Sequence, residues 1–349
     1  MTPRQRVETV LRKGVPDKTP LTMYREMAPQ CEAERALRNA GLCLVVTLPV
    51  VRKVSPRVTR KSIHFEENSR PRIRTIVSTP VGELTTLAEP QYTVPWMLER
   101  PFKGPEDYKA LLFAVNDRSY EPDYGPFARL QESLGGDGIV RAPIDLTPLQ
   151  EIMVHVMGLE AFAVEWAERR DEVLRLYDAM AAKHRALYPL VARSPALHAN
   201  YGGNEVPETV GRDRFERYVV PLYDEAGAVM HAHGKLLGAH LDGNNRLWAD
   251  LVRRSALDYV EAFTPAPNSD MTLAEALSAW PEKVLWINFP SSLHLAAIPA
   301  IEETARRLIR EAAPGHRLII GITEDIPEDR WRQSVAAIAR AVDREAGTA

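Results

Sequence analysis

A closed (β/α)8 barrel, the TIM-barrel class of α/β folds, is what this sequence predicts, with an antiparallel β insertion near residues 62–95. Three observations carry the prediction. From Pro105 onward, segments of helical periodicity alternate with short apolar strands over short connections, the pattern of a parallel sheet. The strands are apolar throughout, as strands covered on both faces are. The repeating units are too numerous to sit comfortably in one open sheet, and barrels of this kind span roughly 200 to over 400 residues, a range that includes this chain of 349.

Each element has its own warrant. Val7, Val10 and Leu11 recur at helical spacing behind Thr2 and Pro3, an N-cap and first-turn proline. A second helix over 28–40 ends at Gly41, and 42–51 reads as a buried strand after a short one at 19–23. Between Ser62 and Pro95 the pattern turns β-branched and alternating, with turn residues at Thr79-Pro80 and Gly82. This insertion is read as either a lid or a surface decoration. Helices follow over 105–115, 124–134, 148–168, 170–192, 212–233, 245–253, 272–279, 299–313 and 327–346. Between them lie strands at 138–144, 196–200, 235–241, 257–263, 284–289 and 317–322. With no internal repeat and no low-complexity linker, residues 1–349 read as one domain.

Composition excludes several classes. The chain is 45% hydrophobic and 26% charged, with a net charge of -3. No basic stripe marks a nucleic-acid surface. Cys31 and Cys43 are too few for a disulfide framework or a Cys-rich zinc module. No apolar run is long enough to span a membrane, and the N-terminal residues lack the apolar core of a signal peptide. The expected compartment is the cytoplasm, with no membrane and no nucleic-acid partner.

In such a barrel the active site is built at the C-terminal strand ends, where this sequence places its polar residues. Asp145 follows strand 138–144. Tyr201, Asn204 and Glu205 follow 196–200. His240 and Asp242 close 235–241, with Asn244 beyond. Glu261 lies in 257–263, Asn288 in 284–289, and Glu324 and Asp325 follow 317–322. Asp145 and Asp325 also fit the N-caps of the helices after them. Glu261 and His240 are harder to explain away, because an unpaired polar group in an apolar strand costs roughly 1–3 kcal/mol. His240 and Asp242, two apart on an extended segment, share a face. That pairing suits a divalent metal or a hydrogen-bonded acid/base pair. With Glu261 and Glu324 it makes a nitrogen-and-oxygen ligand set for zinc, manganese or iron; the alternative is a metal-free polar pocket. Arg25 and Arg141 suit either an anionic substrate group or a structural ion pair. His231 and His233 read as the cationic end of a helix before Gly234.

Some motifs carry a family resemblance over nearly the whole chain. The opening Thr2-Pro3-Arg4-Gln5-Arg6-Val7 with Gly14-Val15-Pro16-Asp17-Lys18-Thr19-Pro20, the stretch Gly211 to Pro221, and Gly234 to Asn244 resemble the uroporphyrinogen decarboxylase superfamily. That superfamily includes a cofactor-free porphyrinogen decarboxylase and metal-dependent methyltransferases that work with methylated corrinoids. The resemblance implies a barrel, a homodimer and, on the methyltransferase side, a methyl-corrinoid carried by a partner protein. In those methyltransferases a His-x-Cys pair and a later cysteine hold zinc. Here the histidine matches His240, the cysteine position is Asp242, and the region Gly321 to Glu324 has no thiol. The resemblance therefore implies a carboxylate-rich metal site, zinc foremost, on His240, Asp242, Glu261 and Glu324. The segment Pro20 to Gln30 keeps only Arg25 where the true decarboxylase has several arginines, too few cations for a polycarboxylate substrate.

The first expectation is a metal-assisted, corrinoid-linked methyltransferase or demethylase for a small methylated or methoxylated compound. In it Asp145, Asn204, Glu205 and Asn288 are the catalytic candidates, and Arg25, Tyr201 and Asn244 contact substrate. The alternatives are a metal-independent decarboxylase or lyase and a non-catalytic binding protein on a barrel scaffold.

Overall fold

The first helix, Pro3–Leu11, is set by its own ends. The Thr2 hydroxyl accepts the Gln5 N–H, the Gln5 side chain accepts the Thr2 N–H, and Pro3 occupies the first turn, where no N–H is needed. Its apolar side, Val7, Val10 and Leu11, is buried. In the computed structural model, which describes residues 1–91 and 95–346, that side packs into the core of a closed barrel with Cys43, Val45, Ile139, Tyr259, Val284, Trp286 and Ile319.

The barrel has eight parallel strands. They are β1 (Leu21–Tyr24), β2 (Leu42–Thr47), β3 (Gly138–Ile144), β4 (His198–Tyr201), β5 (Leu236–His240), β6 (Tyr259–Phe263), β7 (Val284–Asn288) and β8 (Leu318–Ile322). Each pairs with the next along the chain and β8 returns to β1. The expected (β/α)8 class is the observed one.

The strands' two-residue period sorts the interior into layers. Cys43, Ile139, Val284 and Ile319 belong to the apolar core beside the first helix. Further along the same faces stand Thr22, His198, Tyr259 and Trp286, and the Trp286 indole N–H donates to the Thr22 hydroxyl at 2.9 Å. Two residues on come Tyr24, Arg141, Asn200, His240 and Glu261. The interior thus runs from apolar to polar towards the C-terminal strand ends. One glycine makes this possible. Gly238 pairs with Tyr259 across β5 and β6, and a Cβ there would meet the Tyr259 ring at 2.1 Å.

The chain groups into two compact units. One holds the barrel: Met1–Val50, Asp123–Asp145 and Val191–Ala349. The other comprises Val51–Pro122 and Leu146–Leu190. In the second, Thr59–Glu67, Arg70–Thr79, Gly82–Glu89 and Trp96–Glu99 form an antiparallel sheet in that order, and Val51–Val54 pairs with Ser119–Pro122. This is the expected insertion, with its first strand beginning at Thr59; residues 92–94 of the expected span lie outside the described residues. Asn68 and Ser69, both at positive φ, turn the first hairpin. Tyr108 donates to buried Glu165 at 2.9 Å, and Arg169 pairs with the same carboxylate.

Two expected helices are broken. Residues 148–168 form Pro148–Glu151, a π-type segment Ile152–Met157 and Leu159–Glu168, because Gly158 adopts φ +82. Residues 212–233 split into Arg212–Tyr218 and Val220–Ala232. Pro221 falls in the first turn of the latter, the one place where its missing N–H costs nothing. No helix among the described residues is long and apolar enough to cross a membrane.

Replacing Gly238 by alanine forces the Tyr259 ring to move. The expected loss is about 1–3 kcal/mol, read as a lower denaturation midpoint; an unchanged midpoint would contradict the packing described.

Candidate active site at the strand ends

Glu261 organises the polar end of the barrel. It has no exposed surface, and both carboxylate oxygens are engaged. Oε1 accepts the Tyr24 hydroxyl at 2.5 Å and stands 3.0 Å from the Arg141 guanidinium. Oε2 lies 2.7 Å from His240 Nδ1 and accepts the Asn200 amide at 3.1 Å. Arg141 is held in turn by Thr47 and Tyr24, each 2.9 Å away. Behind Asn200 the network continues down the interior, where the Tyr259 hydroxyl lies 2.5 Å from Asn200 Oδ1 and 2.8 Å from His198 Nδ1.

The backbone beside Glu261 is irregular. The β6–β7 register shifts between Glu261 and Phe263, and Ala262 adopts φ +58. An L-residue in that region costs roughly 1–2 kcal/mol, and bulges of this kind re-aim side chains next to functional sites. The loop after His240 is tied down by Asn245. Its amide donates to the Leu241 and Gly243 carbonyls and its oxygen accepts the Trp248 indole N–H.

Charge settles the protonation states. Burial alone would lower the His240 pKa, but the Glu261 and Asp242 carboxylates outweigh it and raise it to about 10. Burial would raise Glu261, yet Arg141 and His240 hold it well below the usual carboxylate range. Burial pushes His198 down to about 3, so it is neutral. His240 is therefore an imidazolium at neutral pH. Its side chain is 21% exposed, and Nε2 lies 3.7 Å from Asp242 Oδ2, beyond hydrogen-bond reach. Asp242 Oδ1 is buried without a hydrogen-bond partner among the described residues.

The structure brings His240, Asp242 and Glu261 together but not Glu324, which lies past β8 and accepts a hydrogen bond from Ser291. The four do not fit the expected zinc. A metal ligand must be a neutral imidazole or an available carboxylate, whereas Glu261 is saturated by Arg141, Tyr24, Asn200 and His240. Among the described residues, no group of three or more His, Cys, Asp or Glu is placed to hold a metal ion.

The other expected residues make contacts of their own. Asn288 is buried and ties β7 to β8 through the Thr323 N–H. Glu205 is buried and accepts the Gly203 N–H at 2.9 Å. The backbone of Asn204, at φ +58, donates to the His240 carbonyl. The Asp145 carbonyl accepts from Gly202. Tyr201 is a core residue, edge-on to Tyr223, and Asn244 donates to Glu208 at 2.5 Å. Arg25 lines a cavity of about 710 Å³ with Gln30, Cys31, Arg35 and Leu44, and none of the residues around Glu261 lines it. His231 pairs with Asp258 at the end of its helix. Tyr24 and Asn200 were not expected in the site; the signal was their two-residue spacing behind Thr22 and His198 on the inward faces. Of the two expectations for Arg141, an anionic substrate group or an ion pair, the structure has the ion pair.

No family model and no curated protein matches the sequence. Among solved structures, a methyltransferase from Methanosarcina mazei is similar over 99% of both chains, at 14% identity and a TM-score of 0.61. That likeness shows a shared fold. A sugar phosphate isomerase/epimerase from Parabacteroides distasonis covers 94% of this chain and 96% of its own at 12% identity, but its TM-score of 0.35 carries no argument.

Two outcomes test the charge assignment. Side-chain nitrogen NMR should show His240 doubly protonated at pH 8, and Glu261→Gln should return its titration towards its ordinary value. The stability that His240 contributes is complete below 6.5, its ordinary pKa, and is lost as pH rises through about 10. Glu261→Gln should itself cost about 3–5 kcal/mol, since it leaves Arg141 buried without its counter-ion.

Proposed function

We propose that this chain is a barrel methyltransferase that demethylates a small methylated or methoxylated compound, with the His240 imidazolium as proton donor to the departing heteroatom. One observation carries the reading: the part-exposed His240 has no hydrogen-bond partner for its Nε2–H among the described residues, and Asp242 Oδ2 stands 3.7 Å from that nitrogen at the end of β5. A donor left unmatched at a barrel's C-terminal strand ends marks where a substrate binds. The fold shared with a methyltransferase and the sequence resemblance to the corrinoid-linked branch both support the methyl-transfer class.

The chemistry follows from the residues. A methyl group bound to oxygen, nitrogen or sulfur leaves poorly because the heteroatom must take the bonding electron pair. His240 offsets this by giving its Nε2 proton to that atom as the methyl–heteroatom bond breaks, and the methyl group passes to an external nucleophile. The family resemblance implies that the acceptor is a corrinoid carried by a partner protein, which supplies the nucleophile. Asp242 accepts a hydrogen bond from the substrate and orients it. Glu261 keeps His240 charged and fixes its ring, and Arg141 keeps Glu261 ionised. Positioned acid catalysis of this kind is worth roughly 10²–10⁴-fold.

The same proton donor supports a second reading, a decarboxylase or lyase in which the proton goes to the carbon that has lost carbon dioxide. It is the weaker one, because Arg141, which could otherwise hold a substrate carboxylate, is already paired with Glu261.

The test is a panel of methoxylated, N-methylated and S-methylated small molecules assayed with reduced cobalamin as acceptor. Methyl transfer is expected, reduced about 10²–10⁴-fold in His240→Ala, while Asp242→Asn acts mainly on KM. Carbon dioxide release from carboxylated analogues without methyl transfer would overturn the assignment in favour of the second reading.

A further inference from the structure

We propose that the strand Thr59–Glu67 is a self-association edge, on which a second copy of this chain adds antiparallel and joins two four-stranded sheets into one. The strand is the outermost of its sheet and, among the described residues, pairs only with Arg70–Thr79. All its residues except Phe65 are exposed. Its pairing runs unbroken from Thr59 to Glu67 with no register shift, and it contains no proline. It has neither the bulge nor the proline that guards many open edges, and its charges, the other usual guard, are of both signs.

The turn decides which backbone groups are free. Glu67 and Arg70 flank the two-residue turn at Asn68 and Ser69. Residues flanking such a turn exchange hydrogen bonds, and the alternation then continues along the strand. Residues 59, 61, 63, 65 and 67 thus bond to the neighbouring strand. Arg60, Ser62, His64 and Glu66 direct their N–H and C=O groups outward.

The side chains specify the partner. Charge on this strand is segregated, with Arg60 and Lys61 at one end and Glu66 and Glu67 at the other. Arg60, Lys61 and Glu66 form no ion pair among the described residues; Glu67 stands 3.6 Å from Arg72. Two copies placed antiparallel about a dyad at Ile63 set Arg60 against Glu66 twice and Ser62 against His64 twice, all outward-facing pairs. Lys61 then lies diagonal to Glu67, within reach across the interface. Ile63 meets Ile63 at the dyad with both Phe65 side chains beside it, on one face. A parallel arrangement would instead oppose like charges at both ends, which is destabilising. The strand is complementary to itself in one orientation only.

The test uses the full-length protein in sedimentation equilibrium. The wild type is expected to dimerise. Ser62→Pro removes an outward N–H and leaves the inward bonds intact, a placement edge strands tolerate, and should give monomer. Arg60→Glu should weaken the dimer about tenfold or more. Arg60→Glu combined with Glu66→Arg restores opposite charges across the dyad and should restore the dimer, which also shows that the single variant folds. A wild type that stays monomeric up to about 0.1 mM would overturn the proposal. So would a dimer indifferent to Ser62→Pro, or a double variant no tighter than Arg60→Glu.

Discussion

The Glu261 carboxylate has no contact with water, and a charge in that position is costly unless it is met by opposite charge and hydrogen bonds. Four groups meet it from separate strands: Arg141 on β3, Asn200 on β4, His240 on β5 and Tyr24 on β1. Much else at this end of the barrel exists to keep those groups in place. Thr47 and Tyr24 orient Arg141. The bulge at Ala262 sits directly after the carboxylate, and Asn245 pins the loop that carries Asp242. The protonation of His240 is a consequence of the same arrangement. Its positive charge is what balances a network of one guanidinium and two carboxylates.

The barrel's lower interior supports this end by being buried and largely apolar. The first helix closes it with Val7, Val10 and Leu11, and Tyr259 and Trp286 fill the middle. Tyr259 also carries a hydroxyl, which reaches Asn200 at 2.5 Å and so links the packed aromatic layer to the charged one. That ring has room only because residue 238 has no side chain. A packing requirement low in the barrel is thereby coupled to the position of a charged group above it.

Much of the fold was legible in the sequence because periodicity is a local property. Short apolar runs separated by helical periods can be covered on both faces only as parallel strands, and the strand 138–144 and the helix 170–192 coincide with the observed Gly138–Ile144 and Arg170–Ala192. The breaks at Gly158 and near Pro221 were visible as residues but not as outcomes, since glycine and proline permit a break without requiring one. At the site, His240, Asp242 and Glu261 were legible because polar groups inside apolar strands need a reason. Glu324 and Arg25 stand apart from these three. Proximity to a strand end in sequence does not say which neighbour a flexible side chain will find, and theirs lie outside the network around Glu261.

What the sequence determined by itself was the barrel, the insertion and the strand ends that carry polar groups, because each follows from spacing along a few consecutive residues. Only the tertiary structure decided what those groups are to one another. Arg141 and Glu261 are separated by more than a hundred residues of chain, and their meeting turns a set of apparent metal ligands into a saturated ion network with one charged imidazole at its edge. Electrostatic energy depends on distance through space, and the closure of the barrel sets that distance.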